Sequence, residues 1–208
     1  MNDLDTFLWL IPLLLASLVL HELAHAVVAT KLGDPTPREQ GRLTLNPIPH
    51  LDPLGTAMFA VTYFTSGFLF GWARPVLVDA RRFRHPKEGM ALVAVAGPAT
   101  NFLLALVCVG VLVHVELSAR AFDVLEQAFF VNVVLGIFNL IPIPPLDGSR
   151  IVGAALRSDA AYMRWASFDQ YGMFVLFGLI ILFQQEFSTL MNSVYGHTAR
   201  AMVRIVGG

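Results

Sequence analysis

Charge is scarce in this chain. Asp, Glu, Lys and Arg together make up 14% of its 208 residues, while 56% are hydrophobic. Soluble domains carry roughly 25% charged residues, so the shortage excludes an ordinary water-soluble fold. A mean hydropathy of +0.64 points the same way, to a polytopic membrane protein. The net charge of −1 and the lack of any basic tract remove nucleic acid as a partner. Cysteine is nearly absent. Cys108 stands alone in an apolar run, which rules out an internal disulfide and a cysteine metal pair and leaves a small packing residue. No repeat, linker or shift of composition divides the chain, so residues 1–208 are read as a single domain. Its start, Met1-Asn2-Asp3-Leu4-Asp5, is acidic where a cleaved signal is basic, and the apolar run that follows is read as a retained span.

Against that apolar background one group of ionisable residues stands out, His21-Glu22-Leu23-Ala24-His25. In a helix, residues four apart share a face, so the two imidazoles can hold one Zn²⁺ between them. Glu22 sits about 100° further round, beside the metal, where a general base takes a proton from water. The motif lies inside the apolar stretch from Leu4 to Ala29, about 39 Å long as a helix, with His21 about 26 Å along it. Ionisable groups at that depth are costly and mark function.

After Gly33-Asp34-Pro35-Thr36-Pro37 ends this helix, Leu43-Thr44-Leu45 alternates before prolines at 47, 49 and 53 break the pattern. It is read as a short strand, as is Arg74–Val78. Leu54–Phe70 is apolar but holds Gly55, Gly67 and several hydroxyl side chains. Met90–Val115 and Val124–Ile141 are further spans, carrying Asn101, Asn132 and Asn139; each amide needs a partner inside the bundle. Pro142-Ile143-Pro144-Pro145 then forbids helix, and Asp147 emerges at its end. Tyr171–Phe183 is a short apolar segment, and Phe187–Val206 suits either an interfacial helix or a poor final span. The architecture expected is an all-α polytopic bundle of about 4–6 transmembrane helices with a re-entrant segment and short membrane-associated β strands.

Lysine and arginine bias places residues 31–42, 74–87 and 150–164 on the cytoplasmic side. Leu54–Phe70 is then flanked by cytoplasmic loops at both ends and is expected to be re-entrant; a single crossing is the alternative. Under this topology the His21 span and the Asn139–Asp147 span run parallel.

A catalytic zinc needs a third protein ligand and an open position. The candidates are His50, Asp52, His114, Asp147 and His197. Asp147 is favoured, because a broken helix end delivers it beside Gly148, a small residue that lets a metal approach.

Three stretches together resemble a known family: His21-Glu22-Leu23-Ala24-His25 in a membrane helix, Gly97-Pro98-Ala99-Thr100-Asn101, and Asn139-Leu140-Ile141-Pro142-Ile143-Pro144-Pro145-Leu146-Asp147-Gly148. They look like the signatures of the site-2 protease family of intramembrane zinc metalloproteases, in its small prokaryotic branch without accessory domains. The resemblance implies His21, His25 and Asp147 as ligands of one zinc per chain, Glu22 as catalytic base, and Asn139 close to the active site. It also implies hydrolysis of a peptide bond within or near a transmembrane segment of a membrane-protein substrate, in a lipid bilayer that is the prokaryotic cytoplasmic membrane. Asn139 is the candidate donor to the developing oxyanion, with a helix-packing amide as its other reading. A metal transporter and a non-proteolytic scaffold are the competing classes. The first calls for a repeated half, which is missing; the second calls for loss of Glu22 or a ligand, and all four residues are present.

Overall fold

The computed structural model describes residues 3–66 and 71–207, without the side chains of residues 3–10, 63, 65 and 66. Helix α1, Asp3–Lys31, ends where Gly33 turns left-handed at φ 107° and Asp34 N–H reaches back to the Ala29 carbonyl at 3.1 Å. A short helix α2, Thr36–Glu39, and a 3-10 turn at Ile48–His50 lead to α3, Pro53–Ser66. A second 3-10 turn at Ala80–Arg82 precedes α4, Pro86–His114. Helix α5, Ala119–Asn139, starts at a Ser118 cap whose Oγ accepts from Ala121 N–H. The proline-rich turn then gives way to α6, Asp147–Ala155, α7, Asp159–Ser167, α8, Asp169–Leu182, and α9, Gln184–Gly207.

Among the described residues three helical stretches are long and apolar enough to cross a membrane: Ile11–Lys31, Pro86–His114 and Ala119–Asn139. The pair α7 and α8, bent by 58°, makes up to a fourth. Helix α4 lies at the centre. It runs antiparallel to α1, with Asn101 beside His21 and Val93 beside His25, and antiparallel to α5, with Asn101 bonded to Asn132. The zinc-motif helix and the helix leading to Asp147 therefore run parallel, as the charge bias requires. Helix α9 is an element of the bundle. Phe187 meets Phe138, Tyr195 meets Phe129 and Phe130, and the Val206 carbonyl bonds His114 Nε2 at 2.9 Å. It thus runs from the end of α5 to the end of α4, and Met202 joins Ala105, Cys108, Val109, Ala128, Phe129 and Val133 in one apolar core.

The expected β strands are not formed. Among the described residues Leu43–Leu45 and Arg74–Val78 contain no strand, and the one sheet-like contact is an isolated antiparallel bridge between Leu51 and Ala73. The reason is competition for the backbone. The prolines at 47, 49 and 75 have no N–H to give a ladder. Side chains take several of the groups that remain: Arg42 bonds the carbonyls of Arg74 and Pro75, Glu22 accepts from Val76 N–H, and Asp34 accepts from Asp79 N–H at 2.7 Å.

The same bridge bears on Leu54–Phe70, whose last residues, 67–70, lie outside the described ones. The chain leaves at Leu51 and is back beside it at Ala73, with Arg74 N–H bonded to the His50 carbonyl at 2.8 Å. Gly55 and Gly71 are packed so closely that a Cβ on Gly71 would stand 2.7 Å from the Gly55 carbonyl oxygen. A return of this kind is what a re-entrant path requires. Single cysteines at Gln40 and Arg84, in a Cys108→Ala background, should therefore both react with a membrane-impermeant thiol reagent from the cytoplasmic side only. Labelling from opposite sides would refute the re-entrant path.

Candidate metal centre

The apolar environment of α1 leaves His21, Glu22 and His25 buried against α4. His21 Nδ1 lies 2.6 Å from Asn101 Oδ1, and His25 Nδ1 lies 2.6 Å from the Val93 carbonyl. Both are acceptors, so the ring protons sit on Nδ1 and each Nε2 presents a lone pair. Those two Nε2 atoms are 3.0 Å apart, and Asp147 Oδ2 is 3.2 Å from each. Asp147 Oδ2 is buried and has no hydrogen-bond donor. Three electron-rich atoms converge with no proton between them, an arrangement that repels itself unless a cation fills it. A tetrahedral zinc about 2.0–2.2 Å from its ligands separates them by about 3.3–3.5 Å, within a few tenths of an ångström of the triangle here. The donor set fits zinc. Among the described residues it is the one cluster of three His, Cys, Asp or Glu side chains with metal-ligand spacing.

A polar chain supports it through the apolar core. Asn101 Nδ2 donates to Asn132 Oδ1 at 3.0 Å, and Asn132 Nδ2 donates to Ser17 Oγ at 2.9 Å and to the Ala128 carbonyl at 2.8 Å. The chain links α1, α4 and α5 and orients Asn101 so that its oxygen faces His21. An unpartnered buried amide costs about 1–3 kcal/mol, so these asparagines are tolerated because each meets another. Gly97 passes directly beneath the imidazoles. A Cβ there would collide with His25 Nε2 and stand 2.6 Å from His21 Nε2. The missing side chain at Gly97 is what lets α4 pack against the two histidines.

Asp147 is the first residue of α6. The close approach at Gly148 is to backbone, contrary to the expectation that it makes room for a metal: a Cβ would collide with the carbonyls of Leu140 and Ile141. Gly148 thus lets α6 start hard against the end of α5, which sets the depth of Asp147. Trp165 Nε1, donating to the Ser149 carbonyl at 2.7 Å, and Arg150, paired with Asp169 at 2.5 Å, hold α6 from the other side.

A cavity of about 310 Å³ opens over the three donors. Glu22, Asn139, Pro75–Val78 and Arg150 line its walls. Glu22 Oε2 accepts from Val76 N–H at 3.2 Å. Asn139 Nδ2 spends one proton on the Leu135 carbonyl at 3.0 Å, and the residue lines the cavity. The remaining ligand candidates lie elsewhere. His50 is fully buried but bonds the Thr44 carbonyl, Asp52 caps α3 through Gly55 N–H, and His114 and His197 bond the carbonyls of Val206 and Ser193.

Sequence reasoning missed two residues that shape this site. Asp34 is a fully buried carboxylate that anchors Asp79 and faces Arg82 at 3.8 Å. Arg42 is a buried guanidinium in contact with three carbonyls. In the sequence Asp34 stands only in the stretch that ends the first helix, and Arg42 only among the basic residues of the 31–42 loop. Their partners are 45 and 32 positions away in the chain, beyond any local pattern.

Known proteins are similar to this chain. Residues 115–183, which include Asn139 and Asp147, match the family model described as Peptidase family M50. YwhC of Bacillus subtilis (strain 168) is 42% identical over 182 residues, covering 83% of this chain and 80% of that one. The chain belongs to peptidase family M50. A zinc metalloprotease of Methanocaldococcus jannaschii is 30% identical over 164 residues, 79% of this chain but only 39% of that longer protein. The solved site-2 protease from the same archaeon shares the fold at a TM-score of 0.51 and 21% identity, covering 95% of this chain and 77% of the other. This M50 chain is a multi-pass integral membrane protein and a member of the site-2 protease family of intramembrane zinc metalloproteases.

Proposed function

We propose that residues 1–208 form one catalytic domain of the prokaryotic cytoplasmic membrane that binds one zinc through His21, His25 and Asp147. Its reaction is hydrolysis of a peptide bond within or near a transmembrane segment of a substrate protein. The observation that carries the reading is the convergence of the two imidazole Nε2 atoms and a carboxylate oxygen without a hydrogen-bond donor beneath a cavity walled by Glu22. Zinc in such a site supplies a Lewis acid and lowers the pKa of water beside it. Glu22 accepts the proton of the attacking water and returns it to the leaving amine. One Glu22 oxygen is held by Val76 N–H, so the carboxylate is oriented before substrate arrives. Asn139 has a second amide proton to offer the developing oxyanion.

A transmembrane helix hides its carbonyls in internal hydrogen bonds and must unwind to be cut. The extended Pro75–Val78 segment lines the cavity beside Glu22, and an unwound chain can pair along it. Leu77 is exposed there and offers an apolar contact at the mouth. Cells carrying wild-type protein or Glu22→Gln, compared for membrane-protein fragments, test the reading. A transmembrane substrate should accumulate uncut in the variant. Identical fragment patterns in both would refute intramembrane proteolysis.

A further inference from the structure

We infer that Arg42 is a positioning residue for Glu22, acting through the backbone of residues 74–76. The inference rests on the assignment of Glu22 as general base. Glu22 makes its hydrogen bond to a main-chain N–H, that of Val76, two residues beyond the bond from Arg74 N–H to the His50 carbonyl that ties this segment to its neighbour. Something must hold that segment at bonding distance, and Arg42 is placed to do so. Gly41 adopts φ 68°, which turns the chain so that the Arg42 side chain points inward, and the residue is only 4% exposed. Its Nη1 donates to the carbonyls of Pro49 at 2.5 Å and Arg74 at 3.1 Å, and Nη2 reaches the Pro75 carbonyl at 3.5 Å.

The planar guanidinium therefore ties two loops together. On one side is the turn at Pro49, and on the other are the two carbonyls immediately before Val76 N–H. The Pro75 carbonyl and Val76 N–H belong to the same peptide unit, so they move as a plate. Fixing the carbonyl oxygen fixes the direction of the N–H on the opposite edge, toward Glu22. No carboxylate pairs with Arg42 among the described residues within salt-bridge distance. Burial lowers its pKa, as does the Arg74 charge, while the Glu22 charge raises it. A buried cation without an ion pair is expensive. A role confined to bracing a surface loop does not account for aiming that cation at the peptide unit that holds the base.

The test compares Arg42→Met, Arg42→Lys and Glu22→Asp, alone and combined, in purified full-length protein cleaving one transmembrane substrate. Zinc content and melting temperature are measured on each. Removing a group that orients an active-site residue through one intermediate costs on the order of 10–100-fold. Arg42→Met should lower kcat by that factor, with KM and zinc content unchanged. Arg42→Lys should recover part of the rate, because an ammonium supplies donors but cannot fork across Pro49, Arg74 and Pro75 together.

Glu22→Asp keeps a carboxylate but withdraws it from Val76 N–H. In that background Arg42→Met should lower kcat little further, since the contact it maintains is already lost. Independent, multiplying losses would overturn the inference, as would a rise in KM at unchanged kcat. If Arg42→Met does not fold, Arg42→Lys decides: full wild-type kcat in that variant overturns the role. Failure of the general-base assignment is distinguishable, because Glu22→Gln would then cleave normally whatever Arg42 does.

Discussion

Glu22→Gln should bind zinc as well as the wild type and cleave its substrate about 10²–10⁴-fold more slowly, the span typical of losing a positioned general base. The substitution is nearly isosteric. An amide oxygen in place of Oε2 can still accept from Val76 N–H, so the geometry that holds the side chain survives. The proposed ligands are untouched, because His21 and His25 are oriented by Asn101 and the Val93 carbonyl and not by Glu22. What is lost is the capacity to take a proton. Zinc measured by metal analysis should stay near the wild-type level while kcat falls. Near-normal turnover would end the assignment of Glu22 as base, and loss of zinc would show that its role is structural.

Asp147→Ala should lose most of its zinc. Two imidazoles from one helix do not make a catalytic site, which requires three protein ligands. Among the described residues no other carboxylate, histidine or cysteine joins His21 and His25 within metal-ligand spacing. Loss of proteolysis should follow loss of the metal. The fold should persist, because α6 is held by Trp165, by the Arg150–Asp169 pair and by the packing of Gly148 on Leu140 and Ile141. Helical content should be unchanged by circular dichroism. Full zinc occupancy in the variant would eliminate Asp147 as a ligand. The two substitutions therefore separate chemistry from binding: one keeps the metal and loses the proton acceptor, the other loses the metal.

Much of the site was legible in the chain itself. The four-residue spacing of His21 and His25 follows from helix periodicity, and the placement of Glu22 follows from the same 3.6-residue turn. Asn101 and Asn132 were identifiable as groups needing partners because an amide in an apolar span has nowhere else to bond. The proline run before Asp147 announced a helix break, and the basic loops implied the parallel course of α1 and α5. Each of these depends on near neighbours in sequence, on periodicity, or on composition averaged over a loop.

The strand expectation failed for the same reason. Alternation at Leu43–Leu45 and the strand-like run at Arg74–Val78 describe a backbone ready to pair, but they do not say what pairs with it. In the folded protein the partners are side chains: Arg42 on two carbonyls, Glu22 and Asp34 on two N–H groups. A hydrogen bond between residues 54 positions apart, such as Val76 to Glu22, leaves no local mark. The chain alone therefore determined the membrane class, the helical course and the residues proposed to bind metal. Tertiary structure decided that Asp147 closes the triangle, that Gly97 lies under the histidines, and that Arg42 reaches the peptide beside Glu22. Those contacts depend on how separate helices and loops meet, which periodicity along one segment does not encode.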